Sequence, residues 1–257
     1  MLISIVNHSL RFLPAFVHMK KAVQDEIVGK ISVVDVTVKI SSLLHNNYDW
    51  LCDSTMGGGC LNLIGSHVID LIYFLTGKRA LRVHAIVRTF RQQTDVIRGI
   101  REITSPDFCN FQMELENGLL VVANLHSNQC CRNGFEQDVT ITGSDGSLTV
   151  AGGDLICLRR KSNDSTSDFK EEKLYVDIQD LRSTPESSSL PRPYVKGMIK
   201  MVSALKESFS TNSAWIKEPV KTASSFMDGL YVQAVLEAIK KSSEKKAWVK
   251  VEILTNG

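Results

Sequence analysis

The chain has 257 residues, 43% of them hydrophobic, which is enough for one large domain or two small ones around a real core. Its 30 Lys and Arg against 28 Asp and Glu leave a net charge of +2 with both signs spread along the chain, which removes the case for a nucleic-acid partner. No apolar stretch reaches the roughly 20 residues that a membrane-spanning helix needs, so no membrane segment is expected.

Ile3 to Val6 reads as a short strand, and MLISIVNHSLRF lacks the basic flank and small-residue cleavage site of a signal peptide. Pro14 suits the first turn of a helix, to which Phe16, Met19, Val23 and Ile27 give an apolar side that ends at Gly29. From Ile31 to Ile40 the apolar residues alternate with a phase change between Val33 and Val34, which predicts a strand with a bulge. A polar loop, Asn46 to Ser54, then leads to three glycines, Gly57, Gly58 and Gly59, and a helix that stops near Gly77.

Leu81–Phe90, Cys109–Leu115 and Leu119–Leu125 follow as strands, the last two joined by Asn117-Gly118, a hairpin signal because both central residues of a type I′ turn need positive φ. Val139–Thr142 and Leu148–Val150 flank Asp145-Gly146, and Gly152-Gly153 leads into Leu155–Leu158, so consecutive hairpins predict an antiparallel meander. Lys161 to Glu172 is polar, Leu174 to Ile178 is strand-like, and a surface loop over 179–193 contains the Ser- and Pro-rich STPESSSLPRP. Two helices, with apolar faces from Val195 to Phe209 and from Phe226 to Ile239, precede a last strand over Trp248–Leu254. The order lacks the strand–helix alternation of a doubly wound sheet. It predicts an α+β fold, an α/β sandwich whose large, open, mostly antiparallel sheet has helices packed on one face.

The six cysteines, Cys52, Cys60, Cys109, Cys130, Cys131 and Cys157, show neither C-x-x-C nor Cys/His zinc spacing, and His126 near Cys130 and Cys131 does not supply it. No metal site is expected, and a reducing, cytoplasmic compartment follows. The N-x-S sequons at Asn7 and Asn163 carry the alternative of a secreted, extracellular protein.

The three glycines suggest a phosphate cradle, but the dinucleotide fingerprint G-x-G-x-x-G would place its third glycine at Asn62, and a polar loop stands where its strand should be. The glycines are instead expected to turn the chain tightly and bring a helix start close to another backbone. Inside that helix Leu63, His67 and Asp70 share a face. His67 is the acid/base candidate, since imidazole titrates near neutral pH; the competing expectation is a histidine hydrogen-bonded to Asp70 or a backbone carbonyl. Trp50 could stack on a sugar-like ligand, with Asp49 and Asp53 beside it. His84 is expected to face solvent, and Lys240-Lys241 with Lys245-Lys246 to be a solvated helix end that suits the helix dipole.

Gly57, Gly58, Gly59, Leu61, Gly65, His67 and Asp70 resemble G-G-G-x-L-x-D-x-G-x-H-x-x-D, the helix motif of the Gfo/Idh/MocA oxidoreductase family. Arg11-Phe12-Leu13-Pro14-Ala15-Phe16, Ile100-Arg101 through Cys109, Asp228-Gly229-Leu230-Tyr231 and Ala238-Ile239-Lys240-x-Ser242-Ser243 are similar to segments of its animal glucose-fructose oxidoreductase domain-containing members. The resemblance implies that residues 1–12 are the end of a Rossmann domain and 13–257 a C-terminal domain that binds substrate and oligomerises. It implies His67 as catalytic residue, Trp50, Asp53, Gly58, Gly59 and Asp70 as substrate-binding residues, and Arg11 as a cofactor-binding residue that needs the Rossmann domain.

The family's glycine fingerprint and E-K-P segment are absent from these residues, so no cofactor is expected on this chain alone, and NAD(P) only if a Rossmann domain precedes it. The family's acidic position four residues before the histidine is Leu63, which can neither orient His67 nor shuttle a proton. The expected partners are a small sugar-like or other polyol or carbonyl substrate and a second copy of the chain, joined through the open sheet. The alternative is a non-catalytic dimeric interaction protein on the same fold, for example in extracellular matrix assembly.

Overall fold

A computed structural model of the chain describes residues 4–45, 47–93, 102–127, 130–131, 134–160, 169–177, 191–210 and 218–253. Nine strands form a single sheet among these residues. They are β1 (Ile31–Ile40), β2 (Ala80–Arg88), β3 (Phe108–Leu115), β4 (Leu120–Ser127), β5 (Phe135–Gly143), β6 (Gly146–Ala151), β7 (Asp154–Arg160), β8 (Phe169–Tyr175) and β9 (Val249–Lys250). The spatial order is β8-β7-β6-β5-β1-β4-β3-β2-β9. Every neighbouring pair is antiparallel except β1 and β4, which run parallel.

The expected continuous meander is therefore divided: β1 inserts between β4 and β5 and separates two runs of antiparallel strands. Val34, Val36, Val38 and Ile40 of β1 are all buried, and such a strand gains most from a central position with neighbours on both sides. Its bulge lies between Ile31 and Val33 against β5, slightly earlier than the phase change suggests. Asn117 and Gly118 both have positive φ, at 63° and 75°, and turn β3 into β4.

Three boundaries differ from expectation at the edges of the sheet, where packing constrains the chain least. Val6 makes only a single antiparallel bridge, to Ser224, so no strand forms over residues 4–6. β8 starts at Phe169 within the polar stretch, because a largely exposed edge strand needs no apolar alternation. β9 has two residues, shorter than the predicted Trp248–Leu254. Residues 161–168, 179–190 and 254, and with them Asn163 and most of the predicted loop, lie outside the described residues, as do Ile100 and Arg101.

Five α-helices are described: α1 (Pro14–Gln24), α2 (Ser66–Thr76), α3 (Arg192–Ser210), α4 (Glu218–Thr222), which the sequence reading lacks, and α5 (Phe226–Lys245). None is long and apolar enough to cross a membrane. Phe16 and Met19 of α1, Val68, Ile69 and Ile72 of α2, and Val235 and Ile239 of α5 join the buried side chains of β1 to β7 in one core. The opposite sheet face carries polar pairs such as Asn110 with Asn124 (2.6 Å) and Thr140 with Thr149 (3.0 Å). Among the described residues, helices thus cover one face and leave the other open.

α5 also closes the β2 edge, where only Arg82 and Val83 pair with β9. The Tyr231 hydroxyl accepts from the Ala80 N–H at 2.9 Å, Ser242 Oγ from Ala85 at 2.9 Å and Ser243 Oγ from Val87 at 2.8 Å. Free strand donors are thereby satisfied by one helix.

Candidate functional site

The glycine stretch enters α2 through a single π-turn, Leu61–Gly65, that runs directly into the helix. A Cβ on Gly58 would collide with the Leu51 carbonyl oxygen, and Gly59 has φ +96° with Pro106 backbone 2.7 Å from where its Cβ would be. These two residues let the loop, the helix start and the segment before β3 lie in contact.

Their surroundings do not fit a dinucleotide phosphate. The Gly57 N–H donates to Ser54 O, Gly58 to Asp53 O, Cys60 to Pro106 O and Leu63 to Gly59 O, so four of the donors a phosphate would use at this helix start are taken by the protein's own backbone.

One turn further along, Asp70 is 1% exposed and surrounded by donors. Arg11 Nε donates to Oδ2 at 2.8 Å and Nη2 to Oδ1 at 2.6 Å, a bidentate pair. Ser224 Oγ donates to Oδ1 at 3.1 Å, and His8 Nδ1 lies 2.9 Å from the same oxygen. Burial raises the Asp70 pKa, but the hydrogen bonds and charges of His8 and Arg11 outweigh it and hold the carboxyl below its ordinary range. Arg11 also donates to Thr222 O at 3.2 Å and lies 3.7 Å from Asp228, whose carboxylate caps α5 in a reciprocal box with Ser225. The N-terminal segment, α2 and the start of α5 are tied together at this point.

Among the described residues His67 bonds neither to Asp70 nor to a carbonyl, contrary to one sequence expectation. Its ring is held edge-on by His8 at 5.5 Å and Tyr194 at 4.9 Å, and its buried Nδ1 has no hydrogen-bond partner among the described residues. Burial and the neighbouring His8 push its pKa down to about 4 against the upward pull of Asp70, so the ring is neutral at pH 7.

A cleft of about 600 Å³ opens beside this cluster, between the N-terminal segment, the loop before α2 and one side of α5. Its wall includes His8, Ser54, Thr55, Gly57, Asn62, Ser66, Gln233, Glu237 and Lys240. Hydroxyls, amides and one charge of each sign make it suited to a small polar molecule.

The sequence-selected residues distribute unevenly around it. Gly58 and Gly59 are buried behind the wall, and Leu63 packs against the core. Trp50 is 49% exposed on a short turn outside the cleft. Asp53 accepts from the Thr55 N–H and hydroxyl at 2.8 and 2.7 Å and so shapes the loop that lines the cleft. Asp70 is engaged by protein donors instead of facing the opening, and Arg11 is paired with it.

Lys240 is not part of a purely solvated helix end: it lines the cleft and pairs with Glu237 at 3.3 Å. His84 is partly buried and packs against Trp248. His8, Ser224 and Tyr194 escaped the sequence reading because their partners are distant in the chain. Among the described residues no His, Cys, Asp or Glu group is placed to hold a metal ion.

Comparison with known proteins gives this site its setting. The family model for the GFO/IDH/MocA C-terminal domain matches residues 16–149, more than half of the chain. Glucose-fructose oxidoreductase domain-containing protein 1 of Xenopus tropicalis is 43% identical over 99% of the chain, which spans 65% of that relative's length. Among solved structures, a levoglucosan dehydrogenase in complex with NADH and levoglucosan superposes with a TM-score of 0.76 at 20% identity, covering 98% of this chain and 67% of that one. Gal80p from Saccharomyces cerevisiae has a TM-score of 0.73 at 14% identity, over 97% of this chain and 65% of its own. The two structures share the fold.

Proposed function

The chain belongs to the GFO/IDH/MocA family through its C-terminal domain, and on that premise we propose that it is the substrate-binding and oligomerising part of an NAD(P)-dependent oxidoreductase acting on a sugar-like or other small polyol or carbonyl compound. The cleft carries this reading, because a polar wall of His8, Asn62, Ser66, Gln233 and Lys240 at the start of the motif helix offers donors and acceptors to several hydroxyls at once. The dehydrogenase of the same fold that binds NADH and levoglucosan supports the substrate class. The occupied backbone donors of Gly57, Gly58 and Cys60 support assigning the dinucleotide to other residues than these.

The test is calorimetric titration of the 257-residue chain with NADH and NADPH, joined to NMR titration with D-glucose. No heat from the nucleotides and amide shifts gathered at Asn62, Ser66 and Gln233 are expected. Micromolar nucleotide binding, or sugar-induced shifts remote from the cleft, would overturn the reading.

A second reading is a non-catalytic dimeric protein that works through the open sheet face. Leu63, at the position of the family's acid, favours it, and Gal80p is a fold neighbour whose relative from Kluyveromyces lactis is described as a transcriptional regulator. Sedimentation separates a dimer from a monomer. Turnover gained by Leu63→Asp in a longer form carrying a dinucleotide-binding domain would favour the enzyme.

A further inference from the structure

We propose that His8, oriented by Asp70, is the proton-accepting group of the cleft, in place of the helix carboxylate whose position Leu63 occupies. The proposal rests on the reading that the cleft holds a hydroxylated molecule.

Asp70 fixes the tautomer. Ser224 Oγ gives its own proton to Oδ1 at 3.1 Å and so accepts from His8 Nδ1 at 2.9 Å, and Nδ1 also lies 2.9 Å from Oδ1 of the ionised carboxylate, which can only accept; both contacts place the ring proton on Nδ1. In the neutral form of the ring Nε2 then carries the lone pair; it has no partner among the described residues and belongs to a residue that lines the cleft.

The same carboxylate prepares the ring for a charge. The ligand's O–H bond breaks, both its electrons stay on oxygen, and the proton forms Nε2–H; Nδ1–H stays in its contact with Ser224 Oγ and Asp70. The resulting imidazolium faces a carboxylate that Arg11 keeps ionised, which is how an Asp–His pair stabilises a proton taken from a hydroxyl. The other groups around His8 are His67 from α2, Tyr194 across His67 from α3, and Asp228 beyond Arg11 from α5. His67 cannot substitute, since it lacks a carboxylate partner, has a sealed Nδ1 and does not line the cleft.

Long-range proton–nitrogen correlation spectra of the full chain labelled at its histidine nitrogens read the tautomer directly. His8 is assigned by His8→Gln, or by single Gln replacements at the other histidines should that variant not fold. With the pH raised until the His8 ring has lost its second proton, the expected signal shows a protonated Nδ1 and a bare Nε2, and a protonated Nε2 with a bare Nδ1 overturns the proposal. Added myo-inositol, as a polyol probe, is expected to shift His8 Nε2 together with the Asn62 and Ser66 amides. Amide shifts with unmoved His8 nitrogens overturn the role of His8 and leave polyol binding standing. If nitrogens and amides are all unmoved, the polyol reading itself falls.

Discussion

Arg11 and Asp70, 59 residues apart in the chain, close a bidentate ion pair in which neither side chain is more than 7% exposed. The pair lies where the N-terminal segment, α2 and α5 meet, beneath the cleft that His8 lines. Its removal therefore acts on stability and on the site together.

Asp70→Asn leaves Arg11 buried with a neutral partner and is expected to cost about 3–5 kcal/mol, measured by urea unfolding. Asp70 has a folded pKa below its ordinary 3.8, so its contribution is complete above that value and is lost as pH falls through the folded pKa. The variant should show a flatter acid limb below about pH 4. An unchanged limb would show that Asp70 does not carry the acid sensitivity.

His67 predicts a second limb at milder pH. Its pKa drops from 6.5 to about 4 on folding, so its neutral form favours the folded state above 6.5, and stability declines as pH falls from there towards 4. The loss should be on the order of 2–3 kcal/mol and should shrink in His67→Gln, followed by thermal unfolding across that range.

The serines that cap the β2 edge give a prediction about assembly as well as stability. Ser242→Ala leaves the Ala85 N–H and the Ala247 carbonyl without their partner, at about 1–3 kcal/mol, and Ser243→Ala should cost about 1 kcal/mol. The double variant exposes unpaired strand donors and should aggregate faster on mild heating, as light scattering would show.

The glycines should differ among themselves. Gly57→Ala meets open space and is opposed only by φ +88°, about 1 kcal/mol, whereas Gly58→Ala runs into the Leu51 carbonyl and should cost about 3 kcal/mol. Equal losses at both positions would contradict the packing described for this loop.

The open sheet face bears on the proposed oligomer. Val122 of β4 lies on it between Asp35 and Gln112. Val122→Arg is expected to convert a sedimenting dimer to monomer with an unchanged circular dichroism spectrum, and a dimer that survives places the contact elsewhere.

By itself the sequence determined what depends on neighbours within a few residues. Alternation in β1 set its buried face, Asn117-Gly118 set a hairpin at positive φ, and Gly77, at φ 65°, ended α2, because strand pleat, turn geometry and helix caps are local properties of the backbone. His67 was legible as a chemical residue for the same reason, as one titratable group in a helical motif.

Only the tertiary structure decided that β1 runs parallel to β4 at the centre of the sheet, since strand order follows from which surfaces bury best against each other and not from any local pattern. It also decided that His8 shares Asp70 with Arg11 and with Ser224, 216 residues from His8, leaving His67 without a carboxylate partner. A buried charge takes the partners that the fold brings within hydrogen-bonding distance, and sequence spacing carries no information about which distant donors those are.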